Sequence, residues 1–310
     1  MCNLRCGRVL AAAIGLAMLF STGRLAAEPK KPSDAEIQKI KDAIPDKATA
    51  TPAKPRKLLV FSRCQGFVHD SIPYGEAAIK LMGEKTGAYT TVLSSDMAAF
   101  EPEKLQEFDA VFFNNATQLN FDDADKKPNA VRRKALLDFV QNGKGVVGCH
   151  AAVDCFYGWP EAAAVLGAVF AGHPGNQFDC PVKLDDPCHP LLKAFGGKGF
   201  WIHDEMYKMK EPYSRDKLRV LLSFDMSKLP NDKEKVYRQD KDNAIAWIHE
   251  VGRGREFYCS LGHRNEIFWN KPLLQFYLDG IQYALGDLKV DATPSAQLAT
   301  QPAAALAPEK

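Results

Sequence analysis

Apolar positions along the chain follow two alternating rhythms. Short runs rich in Val, Leu and Phe cover Lys57 to Ser62, Tyr89 to Leu93, Asp109 to Asn114 and Gly145 to Cys149, and their length and β-branched content predict strands. Between them, apolar residues recur three and four apart. Pro73 stands near the first turn of a helix after the first strand. Asn129 to Gln141 is predicted helical, with Val131, Ala135, Leu136 and Phe139 on its buried face and Asn142-Gly143 closing it. Strands that alternate with helices imply βαβ units and a parallel sheet covered on both faces. A second group of strand-like runs follows at Val182 to Leu184, Phe200 to Tyr207, Leu218 to Phe224, Ala244 to Glu250 and Arg255 to Leu261. Val251 to Gly254 reads as a hairpin turn, and Lys271 to Leu285 as the closing helix. The predicted fold is therefore α/β, a three-layer α/β/α domain over residues 57–290 with a mostly parallel central sheet.

The flanks break this rhythm. Residues 1–27 carry Arg5 and Arg8, an apolar run from Val9 to Phe20, and small residues before Glu28, the pattern of a signal peptide. The run is about twelve residues where a spanning helix needs about twenty, so export is expected, to the periplasm or beyond, with no membrane span left after cleavage. Residues 28–56 read as a Pro-, Ala- and Lys-rich linker with a short helix at Asp34 to Ile44, whose Ile37, Ile40 and Ile44 share a face. Residues 291–310 lack apolar periodicity and read as a disordered tail.

Composition narrows the function by exclusion. The 310 residues are 46% hydrophobic and 25% charged, and 40 Lys and Arg stand against 38 Asp and Glu. Such a balance gives no field for a polyanion, so a nucleic-acid partner is not expected. No GxGxxG or phosphate-loop pattern follows the first strand, which disfavours nucleotide binding. Of eight cysteines, Cys2 and Cys6 fall in the signal segment. The remainder, Cys64, Cys149, Cys155, Cys180, Cys188 and Cys259, can pair in an exported protein or stay as buried thiols.

Candidate chemistry gathers where strands end. In Gly145 to Asp154 a buried strand passes through Gly148 straight into His150, at the carboxyl end where open α/β sheets bind ligands. A core histidine satisfied by a carbonyl is the plainer alternative. Three further clusters repeat the theme: Phe67-Val68-His69-Asp70, His203-Asp204-Glu205-Met206-Tyr207 and Gly262-His263-Arg264-Asn265-Glu266. Imidazoles beside carboxylates serve proton transfer and equally metal ligation. The plainer alternative for His203 is a strand residue facing solvent while Asp204 or Glu205 works, and alternation groups Asp204 with Met206 or Glu205 with Tyr207. His249 reads as a surface strand residue, and His189 as a loop-packing one. Gly172-His173-Pro174 belongs to a loop expected to roof the site. The aromatic residues Phe67, Trp159 and Tyr207 flank the clusters and suit stacking on a sugar ring.

With these clusters the sequence resembles the ThuA-like, or trehalose-utilisation, family, whose fold is similar to class I glutamine amidotransferases. The resemblance covers nearly all of residues 57–290. It rests on Gly66 to Ser71, Gly148 to Ala152, Gly172-His173-Pro174, His189-Pro190, Asp204 to Tyr207, and Gly252 to Arg255 leading to Leu261-Gly262-His263. It implies a role in carbohydrate metabolism, on sugars or oxidised (keto) glycosides, with a small-molecule carbohydrate as partner. In amidotransferases the elbow carries a nucleophilic cysteine. Here His150 takes that place and Cys149 stands one residue early, so amidotransferase chemistry is not expected.

Two enzymatic readings follow, and one that is not. In the first, no cofactor is needed: His150 is the general base or nucleophile, His69, Glu205 and His263 orient substrate or move protons, and Asp154 or Asp204 tunes an imidazole. His173, Arg264, Glu266, Phe67, Trp159 and Tyr207 then contact substrate. In the second, His69, His150, His263 and Glu205 hold a divalent metal that polarises a sugar oxygen. The third is a non-catalytic carbohydrate-binding protein that kept the pocket. Neither oligomeric state nor the bond acted on can be read from these residues.

Overall fold

Every residue of the strands Ala110–Asn114 and Gly145–Cys149 is buried, as is all but the first of Lys57–Phe61. Side chains along a strand point alternately to the two faces of a sheet, and this chain buries both. Leu58, Val60, Ala110, Phe112 and Val147 enter one apolar cluster, whereas Leu59, Phe61, Val111, Phe113 and Val146 enter another. Strands buried on both faces need helices on both faces, which yields the three layers expected from the sequence.

The computed structural model describes residues 29–123, 127–174, 177–229 and 238–310; the segment read as a signal peptide lies outside them. In chain order the described elements are α1 (Asp34–Ala43), β1 (Lys57–Phe61), α2 (Ile72–Thr86), β2 (Thr90–Ser94), α3 (Pro102–Leu105), β3 (Ala110–Asn114), α4 (Ala130–Gln141), β4 (Gly145–Cys149), α5 (Pro160–Leu166), β5 (Val169–Phe170), β6 (Phe178–Leu184), β7 (Phe200–Asp204), β8 (Met209–Lys210), β9 (Arg219–Phe224), β10 (Ala244–Val251), β11 (Gly254–Cys259) and α6 (Lys271–Ala284). Helices α1, α2 and α6 cover the first cluster, and α3, α4 and α5 the second. No described helix is long and apolar enough to cross a membrane.

Nine of the described strands form one sheet in the order β2-β1-β3-β4-β11-β10-β9-β6-β7. The pairs from β2 to β11 are parallel and those from β11 to β7 antiparallel. Each second antiparallel step restores direction, so β9 and β7 run with the parallel strands and only β10 and β6 oppose them. The carboxyl ends of β1, β4, β11 and β7 therefore share one edge. Five strand spacings separate β4 from β7 in that order, roughly 24 Å across a flat sheet. Yet Glu205, one residue past β7, comes within 3.7 Å of His150, one residue past β4. The antiparallel half must curl back over the parallel half, and the concavity so formed is where the site lies.

Several expectations need correction. Val131 is exposed, because the first turn of α4 presents Arg133 instead, its guanidinium stacked on Trp159. His249 is no surface residue: it is buried, donating from Nε2 to the Val165 carbonyl at 2.8 Å. Its cross-strand neighbour Glu256 is fully buried, 3.5 Å from His249, with neither carboxylate oxygen hydrogen-bonded among the described residues. The six cysteines of the domain are all free thiols.

The flanking segments also differ from expectation. Ile40 and Ile44 are buried in the first cluster, and α1 is closed by a capping box of Ser33 and Glu36. Further along, Gln282 of α6 accepts from the backbone N–H groups of Thr49 and Ala50 and donates to the Ala50 carbonyl, while Arg56 pairs with Asp287. The segment read as a linker is thus a strap across α6. The tail read as disordered runs along the domain: Ala305 pairs with Leu184, the Ser295 hydroxyl accepts from Val220 N–H, and Ala307 is buried. Apolar periodicity found α1 but neither residues 45–56 nor 291–310, which are held mainly by backbone and side-chain hydrogen bonds that need no repeating pattern.

Two stability predictions follow from these contacts. A chain trimmed to Lys57–Val290 should lose at least about 3 kcal/mol in urea unfolding, since full burial of one Ile is worth about 1.5–3 kcal/mol; an unchanged midpoint would show that the strap is not structural. For Glu256, burial raises the carboxyl well above its ordinary range. Its contribution is then fully present below the unfolded value near 4.5 and lost as pH rises through the folded value. Neighbouring His249, pushed down to about 4 by burial, acts with opposite sign, but it is common to both proteins compared. Glu256→Gln should accordingly gain thermal midpoint over the parent at pH 8 and show a smaller difference at pH 4. A difference independent of pH would refute the assignment.

Candidate functional site

Four loops at the shared sheet edge build the site, and small residues let them approach. A Cβ at Gly148 would lie 2.8 Å from Tyr258, and one at Gly262 would lie 2.7 Å from the Cys149 sulfur and 3.2 Å from the His150 Cβ. After β4 the backbone turns sharply: His150 has φ 43°, left-handed for a residue with a Cβ, a conformation costing on the order of 1–3 kcal/mol. Surrounding bonds hold it there. The Tyr258 hydroxyl donates to the His150 carbonyl at 2.7 Å, and His150 Nδ1 lies 2.7 Å from the Ser260 carbonyl.

The β3 and β11 loops are tied together beneath it. Asn115, also left-handed at φ 51°, donates from Nδ2 to the Gly262 carbonyl at 3.2 Å, and the Ser71 hydroxyl donates to the same carbonyl at 2.7 Å. Asp204, fully buried at the end of β7, accepts from the N–H groups of Gly262 at 2.8 Å and Arg264 at 2.9 Å. Burial raises the Asp204 carboxyl, with His150 and those two donors opposing the rise. Asp204 clamps the loop that presents His263, and does not itself face the centre.

Within this frame His69, His150, Glu205 and His263 bring four ligating atoms within 4.8 Å of one another. Glu205 Oε2 stands 3.2 Å from His263 Nδ1 and 3.7 Å from His150 Nε2, and the two imidazole nitrogens are 3.3 Å apart. Donors on a tetrahedral zinc, bound at about 2.0–2.1 Å, would be spaced by about 3.3–3.4 Å. Because a carbonyl can only accept, His150 Nδ1 carries the proton and its Nε2 presents a lone pair in the neutral ring. His69 Nδ1 is buried with no protein hydrogen-bond partner among the described residues. Burial, then His150 and His263, lower the His69 imidazole to about 2. For Glu205, burial pushes upward, but the imidazoles of His150 and His263 beside it outweigh this and hold the carboxyl well below the usual carboxylate range. The cluster thus sets one carboxylate among three imidazole nitrogens, a donor set that fits a divalent cation.

The other predicted residues divide into walls, braces and outliers. Tyr207 is buried and tilts over His150 with ring centroids 4.3 Å apart. His173, on the roofing loop, reaches Glu205 Oε1 at 3.3 Å. Phe67 is 65% exposed and stands edge-on to His69. Arg264 is held by Glu266 and by Gln177 beside His263. Asp154 lies on the flank, bonded by the Tyr157 hydroxyl. Trp159 does not join them: it is buried in the second cluster against Phe121 and Phe156. His203 points outward, to Asp179 at 2.7 Å. Cys149 faces the α6 side, fully buried and bonded by the Tyr277 hydroxyl at 3.2 Å, and burial pushes its thiol far up. Asn115, Ser71 and the Ser260 carbonyl are site residues beyond those read from the sequence; Asn115 carries a signal in its place at a strand's carboxyl end and Ser71 in the motif Gly66 to Ser71.

The family described as ThuA, trehalose utilisation, matches residues 57–284. A ThuA-like protein from Bacteroides uniformis ATCC 8492 is similar in structure, with 23% identity and a TM-score of 0.57 over 76% of this chain and 94% of its own. Another, from Parabacteroides merdae ATCC 43184, has 19% identity and a TM-score of 0.57 over 77% and 93%. At such identities the likeness speaks for the fold. No curated protein sequence matches the chain. With the family match spanning most of the chain and the sheet arranged as described, the protein belongs to the ThuA, or trehalose-utilisation, family.

Proposed function

We propose that the protein is an exported carbohydrate-directed enzyme acting on sugars or oxidised glycosides, with a divalent cation held by His69, His150, Glu205 and His263. The observation carrying this reading is that His150, fixed by the Ser260 carbonyl with its proton on Nδ1, directs a lone pair into a set of four donors spaced as a metal needs. A cation bound there would polarise a carbonyl or hydroxyl oxygen of the sugar. The remaining residues act around it. Tyr207 covers one face of His150 and keeps water from it; His173 holds the second oxygen of Glu205 and fixes that carboxylate's orientation; Asp204 keeps the His263 loop in register. The family's description supports a carbohydrate as the partner.

The acid–base reading, with His150 taking a substrate proton directly, draws on the 3.3 Å approach of His263 Nδ1 to His150 Nε2, which also suits a shared proton. Metal content separates the two. Protein purified without chelator should carry about one equivalent of a divalent metal by elemental analysis. His263→Ala should lose most of it while keeping the thermal midpoint, because His263 is partly exposed and anchored through its backbone neighbours. Turnover of oxidised disaccharides by that variant should fall about a hundredfold or more. Wild-type turnover without any divalent metal would replace this reading by the acid–base one, and sugar binding without turnover would replace both by a binding protein.

Cys149→Ser tests the same site from its other side. Activity per folded molecule should be unchanged, since the thiol is sealed behind β4, with a stability loss of about 1 kcal/mol for a polar atom placed in that contact. Abolished turnover in a folded variant would restore the cysteine to the chemistry.

A further inference from the structure

A trough of about 1040 Å³ opens at the same sheet edge as the cluster, on the other side of the loop after β1. That loop divides the two: Phe67 and His69 belong with the cluster, whereas Cys64 and Val68 line the trough. Its existence follows from strand order. β2 ends the sheet, so no described strand beyond Leu93 and Ser94 fills the space between α2 and the chain before α1, at Pro29 and Pro32. The volume reaches the upper end of the roughly 300–1,000 Å³ of sites for drug-sized ligands.

Two kinds of side chain line it. Ile37 of α1, Val68, Ile72 and Ala77 of α2, and Leu93 of β2 give an apolar surface, and Leu93 is 41% exposed although it lies in a strand. Beside them stand two cations, Lys31 and Arg63, against one carboxylate, Glu76. Arg63 is incompletely used. Its Nη1 donates to the Ser95 carbonyl at 3.2 Å, while Nε is closed off from solvent and has no hydrogen-bond partner among the described residues. No ion pair engages Arg63 or Lys31 among the described residues. A guanidinium fork is matched by a carboxylate, which accepts two parallel N–H bonds, and a donor shut away without an acceptor is costly. A small inorganic anion would leave the apolar surface uncovered, and a neutral apolar molecule would leave the cations unpaired. An elongated molecule with an apolar body and one anionic end satisfies both.

We propose that this trough is a binding site for an amphipathic carboxylate, an acyl or aryl-alkyl chain whose single carboxylate pairs with Arg63 and whose body lies along Ile72 and Leu93. The proposal does not depend on the chemistry assigned to the His/Glu cluster. Isothermal titration calorimetry of the full chain with decanoate, kept below its micelle-forming concentration, should give one site per chain. Affinity should rise about twofold or more with each methylene from hexanoate to decanoate. Decanamide, which keeps the chain and loses the charge, should bind roughly tenfold more weakly or worse. Arg63→Ala should weaken decanoate by a similar factor. Leu93→Asp, at an exposed side chain, removes apolar surface and repels the carboxylate; it should weaken decanoate roughly tenfold and keeps the test open where Arg63→Ala fails to fold. A divalent cation at the cluster also attracts carboxylates, so His263→Ala is titrated alongside: unchanged decanoate binding supports the trough, and its loss would move the anion to the cluster and overturn the proposal. Decanamide bound as tightly as decanoate, affinity indifferent to chain length, binding unchanged in Leu93→Asp or in a folded Arg63→Ala, or no binding at all would each overturn it too. Sedimentation of the same samples adds one more such outcome, since a dimer that dissociates on Leu93→Asp would assign the trough to a second copy of this chain.

Discussion

The buried carboxylate of Asp204 holds together what the order of strands separates. It sits at the end of β7, the far edge of the sheet, and accepts from two consecutive-but-one N–H groups of the loop after β11. A buried carboxyl that accepts from two backbone N–H groups is satisfied, and inside the protein the same group left unpaired would be costly. Opening the curl of the sheet would leave that carboxylate unpaired. The position of Glu205, the next residue, depends on the same closure, and so does every contact the cluster makes with it.

Precision at the centre is obtained at some cost to the backbone. His150 and Asn115 both adopt left-handed conformations at the ends of adjacent strands, and each is fixed by bonds to the loop carrying Gly262 and to the end of β11. Asparagine tolerates that region better than most residues; histidine does so only where its surroundings over-determine it. The same turn explains why His150 and not Cys149 faces the cluster. Cys149 is the last residue of β4, so the pleat sends its thiol beneath α6, and His150 leaves the pleat altogether. One residue of offset places one side chain in the core and the other in the concavity.

The approach from solvent to the centre is graded. At the floor, His69, His150 and Glu205 are nearly inaccessible; His263 is partly open; Phe67, Asp70 and Glu266 are exposed at the mouth. Such a gradient keeps charges at the floor in a low-dielectric setting, where they interact strongly.

Much of this organisation is determined by local sequence. Runs of β-branched and aromatic residues between helical periods specify β1, β3, β4 and α4 regardless of their neighbours, because burial on both faces requires continuous apolar strands. Histidines following such runs mark the edge where ligands bind, which is why His69, His150, Glu205 and His263 could be named from residue type and position. What periodicity does not carry is direction in space. That β7 returns to β4, that His249 and Trp159 lie in the core and His173 at the centre, and that the segments 29–56 and 291–310 pack against the domain all follow from contacts between residues far apart in the chain. Those contacts are set by curl, hydrogen bonding and the meeting of loops, and leave no repeating pattern in the residues that make them. Only the tertiary structure decides which of several strand-end polar residues converge, since convergence depends on how the whole sheet closes.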